Sequence, residues 1–248
     1  MGMLRLESIS HAFGDRQALS AVSAEFASGQ VVAVVGRNGS GKSTLLRAMA
    51  GLLRTDGGRS RWNDCDLART RARERARRVA FVPQQPGLAI DLSVEEVVAL
   101  GVERRLRDAQ TRGRVDGAIE AAGLTPLRRR AYHGLSSGER QSCVLARAFA
   151  QHRPDGLLVL DEPCANLDPA QTRRILSCLR ARASQGALVI AAMHDLMVVE
   201  RVADRVLWLD RGAVVAIGPP REALDLETLA RVFGCPFGRV VDALAPDL

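Results

Sequence analysis

The chain has 248 residues, 47% of them hydrophobic, with a formal net charge of +7 and a pI near 10.0. That apolar content supplies a core for one large domain, and no run approaches the roughly 18 apolar residues that cross a bilayer. Aromatic residues make up only 4%, too few for a platform that stacks single-stranded bases. A basic balance suits phosphates, nucleic acid or an anionic membrane face. Cys65, Cys143, Cys164, Cys178 and Cys235 are scattered and form no C-x-x-C pair, which reads as reduced thiols in a cytosolic protein. The opening M-G-M-L-R-L-E-S-I-S has no apolar signal core, and Leu6 stands where a myristoylation signal needs Ser or Thr. A soluble protein is expected.

Along the chain, Val31 to Val35 (V-V-A-V-V) predicts a strand buried on both faces. Gly36 to Thr44 (G-R-N-G-S-G-K-S-T) then fits G-x-x-x-x-G-K-[ST], a loop whose backbone N–H groups wrap an anion. Of the 35 lysine and arginine residues, only Lys42 is lysine. A compact ammonium reaches terminal phosphates where a broad guanidinium does not fit. Ser43 to Leu53 is rich in helix formers, so strand, loop and helix aim their dipoles at a nucleoside triphosphate. Ser43 would hold Mg²⁺ through its hydroxyl, and Thr44 would add a hydrogen bond.

Arg69 to Arg78 (R-T-R-A-R-E-R-A-R-R) reads as a short solvated helix, since no aromatic interleaves it and the strand Val79 to Val82 follows at once. Pro83 ends that strand and leaves Gln84 at a hinge, with Gln85 adjoining. Ser93 to Glu96 is a capping box, and Gly101 after Leu100 is a natural helix stop. Arg104 to Arg114 and Arg128 to Arg130 read as solvated faces. Leu135 to Gln141 (L-S-S-G-E-R-Q) opens a helix with an apolar stripe at Val144, Leu145, Ala148 and Phe149, and its start is a second anion site by dipole logic. Leu157 to Pro163 (L-L-V-L-D-E-P) is a buried strand delivering Asp161, suited to Mg²⁺, and Glu162, suited to a general base. Ala187 to Met193 is another buried strand, ending at His194 at the same sheet edge. Beyond Gly218 lies a short helical appendix.

Together these motifs resemble the ATP-binding subunits of ABC transporters over nearly the whole chain. Phe13 takes the place of that family's adenine-stacking aromatic. Gly36, Asn38, Gly39, Ser40, Gly41, Lys42, Ser43 and Thr44 match the Walker A loop, and Gln84 matches the Q-loop glutamine, with Gln85 as its alternative. L-S-S-G-E-R-Q resembles the signature motif, with Ser137 where glycine is more usual; Asp161 and Glu162 match Walker B. Asn166-Leu167-Asp168 resembles the D-loop and His194 the switch histidine.

The resemblance implies an α/β P-loop NTPase fold. Its RecA-like ABC ATPase core (1–85 and 152–218) carries an antiparallel β subdomain, an inserted α-helical subdomain (86–151) and the appendix (219–248). It implies ATP and Mg²⁺ as cofactors, with Ser43, Gln84 and Asp161 toward the metal and Glu162, His194 and Gln84 as catalytic residues. It implies a homodimer in which Ser136 and Gly138 of one subunit close over the ATP of the other. The implied partners are integral-membrane permease subunits and, indirectly, a substrate-binding protein, with no nucleic acid. The place is the cytoplasmic face of the inner membrane. D-L-S-V-E-E-V-V-A-L-G and the tail G-P-P-R-E-A-L…L-A-R-V-F-G look most like importers of iron-siderophores, haem or cobalamin. V-E-R-R departs from the R-x-P-H tetrapeptide frequent there, and manganese and zinc importers share similar tails. Two other readings fit less of the sequence. ABC ATPases of nucleic acid carry two fused cassettes or a long coiled coil, and a plain phosphate-loop kinase has no use for L-S-S-G-E-R-Q.

Lys42→Arg keeps the charge yet is expected to lose most ATP affinity, measured by equilibrium binding; wild-type affinity would refute the steric argument.

Overall fold

A computed structural model of the chain describes residues 2–84, 91–102 and 109–238. Gln85, residues 86–90 of the middle segment and the start of the Arg104–Arg114 run lie outside the described residues. In chain order the elements are β1 (Met3–Phe13), β2 (Arg16–Ala27), β3 (Val31–Val35), α1 (Lys42–Met49), β4 (Gly57–Trp62) and β5 (Cys65–Asp66). Next come α2 (Ala72–Arg78), β6 (Val79–Val82), α3 (Val94–Ala99), α4 (Ala109–Ala121), α5 (Ser137–Gln151) and β7 (Leu157–Asp161). The chain continues through α6 (Pro169–Ser184), β8 (Leu188–Ala192), α7 (Leu196–Val202), β9 (Arg205–Asp210), β10 (Ala213–Gly218), α8 (Pro220–Ala223) and α9 (Leu226–Phe233).

The apolar run of β3 is buried along its whole length because each of its faces meets a different layer. Val31, Ala33 and Val35 pack into the core shared with α3 to α7, whereas Val32 and Val34 pack with α1 and the antiparallel strands. Side chains alternate along a strand, so a strand covered on both sides reads as a continuous apolar run. Strands β9, β3, β8, β7 and β6 run parallel in that order, and β10 joins the β9 edge antiparallel. The second sheet is antiparallel, ordered β2-β1-β4-β5. The expected mixed α/β architecture, with an antiparallel sheet beside a parallel one, is what the chain adopts.

Several local expectations hold. The helix read from Arg69 to Arg78 forms as α2, beginning only at Ala72, with no buried residue, and it leads directly into β6. The capping box opens α3: the Ser93 hydroxyl accepts from the Glu96 N–H, and the Glu96 carboxylate accepts from the Ser93 N–H. Val94, Val97 and Val98 are fully buried, while Leu100 is 55% exposed.

Two helix ends differ from the sequence reading. Helix α1 stops at Met49 instead of running to Leu53. Gly51 turns left-handed (φ 67), its N–H bonds the Ala48 carbonyl at 3.0 Å, and Leu52 N–H returns to the Arg47 carbonyl at 2.8 Å. That pair of bonds is a Schellman closure, written in the sequence only as one glycine inside an otherwise helical run. Gly101 does follow α3, yet not as a left-handed stop: it is absent from the positive-φ glycines. It is small because α5 passes over it; a Cβ there would stand 2.3 Å from the Arg147 carbonyl oxygen.

Gly101→Ala should therefore destabilise the fold by about 1–3 kcal/mol, as overpacking does. Gly117→Ala in α4, where a Cβ meets nothing within 4 Å, should instead stabilise through helix propensity. Chemical denaturation of the two variants checks the opposite signs.

Candidate functional site

Four chain segments converge at the carboxyl ends of the parallel strands β3, β6, β7 and β8, where a doubly covered sheet places its ligand crevice. The loop between β3 and α1 is the first. Gly41, the residue before α1, sits at φ 104, and a Cβ there would lie 2.5 Å from the Ala18 carbonyl oxygen. A Cβ on Gly36 would lie 2.1 Å from the Leu209 carbonyl oxygen and 2.7 Å from the buried Ser40 hydroxyl. No side chain but hydrogen fits between this loop and the strands beneath it. Lys42 is buried under the loop, donating to the carbonyls of Gly36 (2.9 Å) and Arg37 (3.0 Å). Burial lowers its pKa, opposed by the charges of Glu162 and Asp161. The lysine is thus tethered at the loop, facing two carboxylates.

The end of β7 supplies those carboxylates. Asp161 is 2% exposed, and its Oδ1 has no hydrogen-bond partner. Burial pushes its pKa up; the Ser43 hydroxyl pulls it down and the Glu162 charge pushes it further up. Glu162, the next residue, takes a left-handed backbone (φ 53), a conformation that costs on the order of 1–3 kcal/mol for a side chain with a Cβ. The turn carries the carboxylate out of the sheet and into contact with His194 Nε2 at the end of β8. The pair lies half in the open, Glu162 with 18% and His194 with 44% of its side chain exposed.

An open cleft of about 810 Å³ joins these groups. Phe13, Asn38, Gly39, Gly41, Lys42, Ser43, Thr44, Gln84, Glu162 and His194 line it, and all were singled out from sequence. Gly36, Ser40 and Asp161 do not line it; Gly36 and Ser40 pack in the folded loop and Asp161 is buried at the end of β7. Ser136 and Gly138 do not line the cleft either. Ser136 caps α5 in a box with Glu139, and a Cβ on Gly138 would lie 2.7 Å from the Asn166 carbonyl oxygen. The start of α5 therefore rests on the loop that follows Glu162. Buried Gln141, one turn on, donates to the Pro163 carbonyl at 3.3 Å, a second tie between α5 and that loop. Asp168 closes the loop by capping α6.

Sequence reasoning missed Arg16 and Ala18, which also line the cleft. Their only sequence signal is nearness to Phe13 across a two-residue turn. Size alone does not mark the site: a cleft of about 1020 Å³ beside α2 is larger and carries no phosphate loop.

A glycine loop closing on a tethered lysine, opposite a carboxylate pair and a histidine, defines a P-loop nucleoside triphosphatase. Residues 19–165 match the ABC transporter family. The chain is 39% identical to the hemin import ATP-binding protein HmuV of Pseudomonas fluorescens, over 94% of this chain and 92% of that one. It is 35% identical to the protein of the same name from Rhizobium meliloti, over 99% and 96% of the two chains. Its fold matches a nucleotide-free ATP-binding cassette from an ABC transporter with a TM-score of 0.78 and 25% identity, covering 95% and 96% of the chains. The chain belongs to the ABC transporter family, as an ATP-binding subunit that hydrolyses ATP. No helix among the described residues is long and apolar enough to cross a membrane.

The orphaned Asp161 oxygen carries a stability consequence. Its folded pKa lies above the unfolded one, so the folded state holds the proton to higher pH. Stability therefore falls as pH climbs from the unfolded pKa through the folded one, and the loss is complete above it. Asp161→Asn should raise the melting temperature of the nucleotide-free protein at pH 7.5 by about 2–4 °C, with the gain shrinking toward acid pH. A lower melting temperature would show that the carboxylate is satisfied in the fold.

Proposed function

We propose that this chain powers an importer of haem, or of a related iron-siderophore or cobalamin-type compound, as a homodimer under a separate membrane permease at the cytoplasmic face of the inner membrane. The observation that carries the substrate class is the near full-length similarity to hemin import ATP-binding proteins in both directions. A substrate-binding protein would deliver the compound to the permease. Within the chain, 1–85 and 152–218 form the nucleotide-binding core, 86–151 the helical subdomain that meets the permease, and 219–248 the appendix.

In this reading Phe13 stacks on adenine with its exposed ring. The loop amides from Asn38 to Thr44 and the Lys42 ammonium hold the phosphates. The Ser43 hydroxyl and the unpartnered, buried Asp161 oxygen form a hard oxygen donor set that fits Mg²⁺, with Gln84 at its edge. Bound there, the metal would offset the charge of the β- and γ-phosphates. Glu162 takes the proton of an attacking water, and its contact with His194 fixes where that carboxylate points. Ser136 and Gly138 stand at a helix N-terminus away from the cleft, so they serve the ATP of the second subunit. Gln84, just past β6 and exposed to the cleft, reports nucleotide state to the helices beyond it.

The test is reconstitution in vesicles with the permease and a haem-loaded binding protein. ATP hydrolysis should rise with the loaded partner and haem should accumulate inside. Glu162→Gln should bind ATP, dimerise on adding it by light scattering, and hydrolyse about 10²- to 10⁴-fold more slowly. Wild-type hydrolysis by Glu162→Gln would remove the base assignment. Uptake of manganese or zinc in place of haem would move the substrate class.

A further inference from the structure

Phe13 and Arg16 are direct partners across the β1–β2 hairpin, separated only by the turn at Gly14 and Asp15. Residues directly opposite in an antiparallel pair project to the same face. Both line the nucleotide cleft, and both are exposed. The Arg16 guanidinium reaches over the phosphate loop: its Nη2 stands 3.4 Å from where a Cβ on Gly39 would be. Among the described residues no hydrogen bond, ion pair or ring contact engages it, whereas Arg5, Arg59, Arg78, Arg128 and Arg180 each meet a carboxylate. A guanidinium offers five donors in a planar fork matched to phosphate oxygens.

We infer that Arg16 is a nucleotide-positioning residue, clamping the solvent-side oxygens of the diphosphate shared by ADP and ATP between the Phe13 ring and the Gly39 turn. The inference rests on the reading of this cleft as the ATP site. Lys42 approaches the phosphates from beneath the loop, so the two cations meet the anion from different sides. One two-residue turn therefore sets both the base contact and the outer phosphate contact. Arg16 touches neither Glu162 nor His194 through any hydrogen bond or ion pair, so it acts on binding and leaves the chemical step alone.

The experiment uses the full-length chain and mant-ADP, followed by fluorescence at several salt concentrations. Arg16→Ala should bind mant-ADP about tenfold more weakly, the worth of one charge-assisted hydrogen-bond pair. Mant-AMP should lose less. The slope of log Kd against log salt should flatten, which a merely structural role would not produce. Arg16→Lys should recover part of the affinity and the slope. At saturating ATP, kcat should stay within about twofold, so the effect falls on KM. Affinity within twofold of wild type, or a loss with an unchanged salt slope, would overturn the inference. Lys42→Ala separates the two levels: if that variant binds mant-ADP like wild type, the cleft is not the nucleotide site and the underlying reading fails instead.

Discussion

An acid and a base held out of water at one sheet edge govern this molecule. Asp161 sits at the last position of β7 with a carboxylate oxygen that nothing in the protein satisfies. Lys42, buried under the glycine loop, has its pKa lowered by desolvation and restored in part by the two carboxylates. Lys42 answers that burial by donating to the Gly36 and Arg37 carbonyls, whereas the Asp161 oxygen has no partner within the fold. The cost falls on stability, and the use falls on the nucleotide that the family binds. The parallel sheet supports that arrangement by burying β3, β7 and β8 completely, so that the three strand ends cannot drift apart.

The same rigidity reaches α5. Its first turn touches the loop after Glu162 through Gly138 against the Asn166 carbonyl, and its second through Gln141 to the Pro163 carbonyl. The left-handed backbone of Glu162 makes the turn there a stiff, strained element instead of a slack connection. The helical layer of α3, α4 and α5 shares one apolar core with one face of the sheet, and Cys164 and Leu167 of the loop pack against that core.

Two features follow from close approach and not from sequence chemistry. Gly101 is a packing glycine under α5, although its position after a helix suggested a conformational role. Arg16 looked like one more member of an arginine-rich composition until the hairpin register set it beside Phe13. In both cases the partner lies far away in the chain or across a turn, where local pattern carries no information.

What the sequence determined by itself was the set of local motifs. The strand, loop and helix around Lys42, the carboxylates after an aliphatic strand, and His194 after another are local patterns. Each depends on periodicities and residue types within a dozen positions, so each was legible without coordinates. The apolar run of β3 even announced that both its faces would be covered. What only the tertiary structure decided was convergence: that strand ends far apart in the chain share one cleft, that Ser136 and Gly138 stand outside it, and that Arg16 stands within it. Sheet order and hairpin register fix those relations, and they arise from long-range packing that no local window of residues encodes.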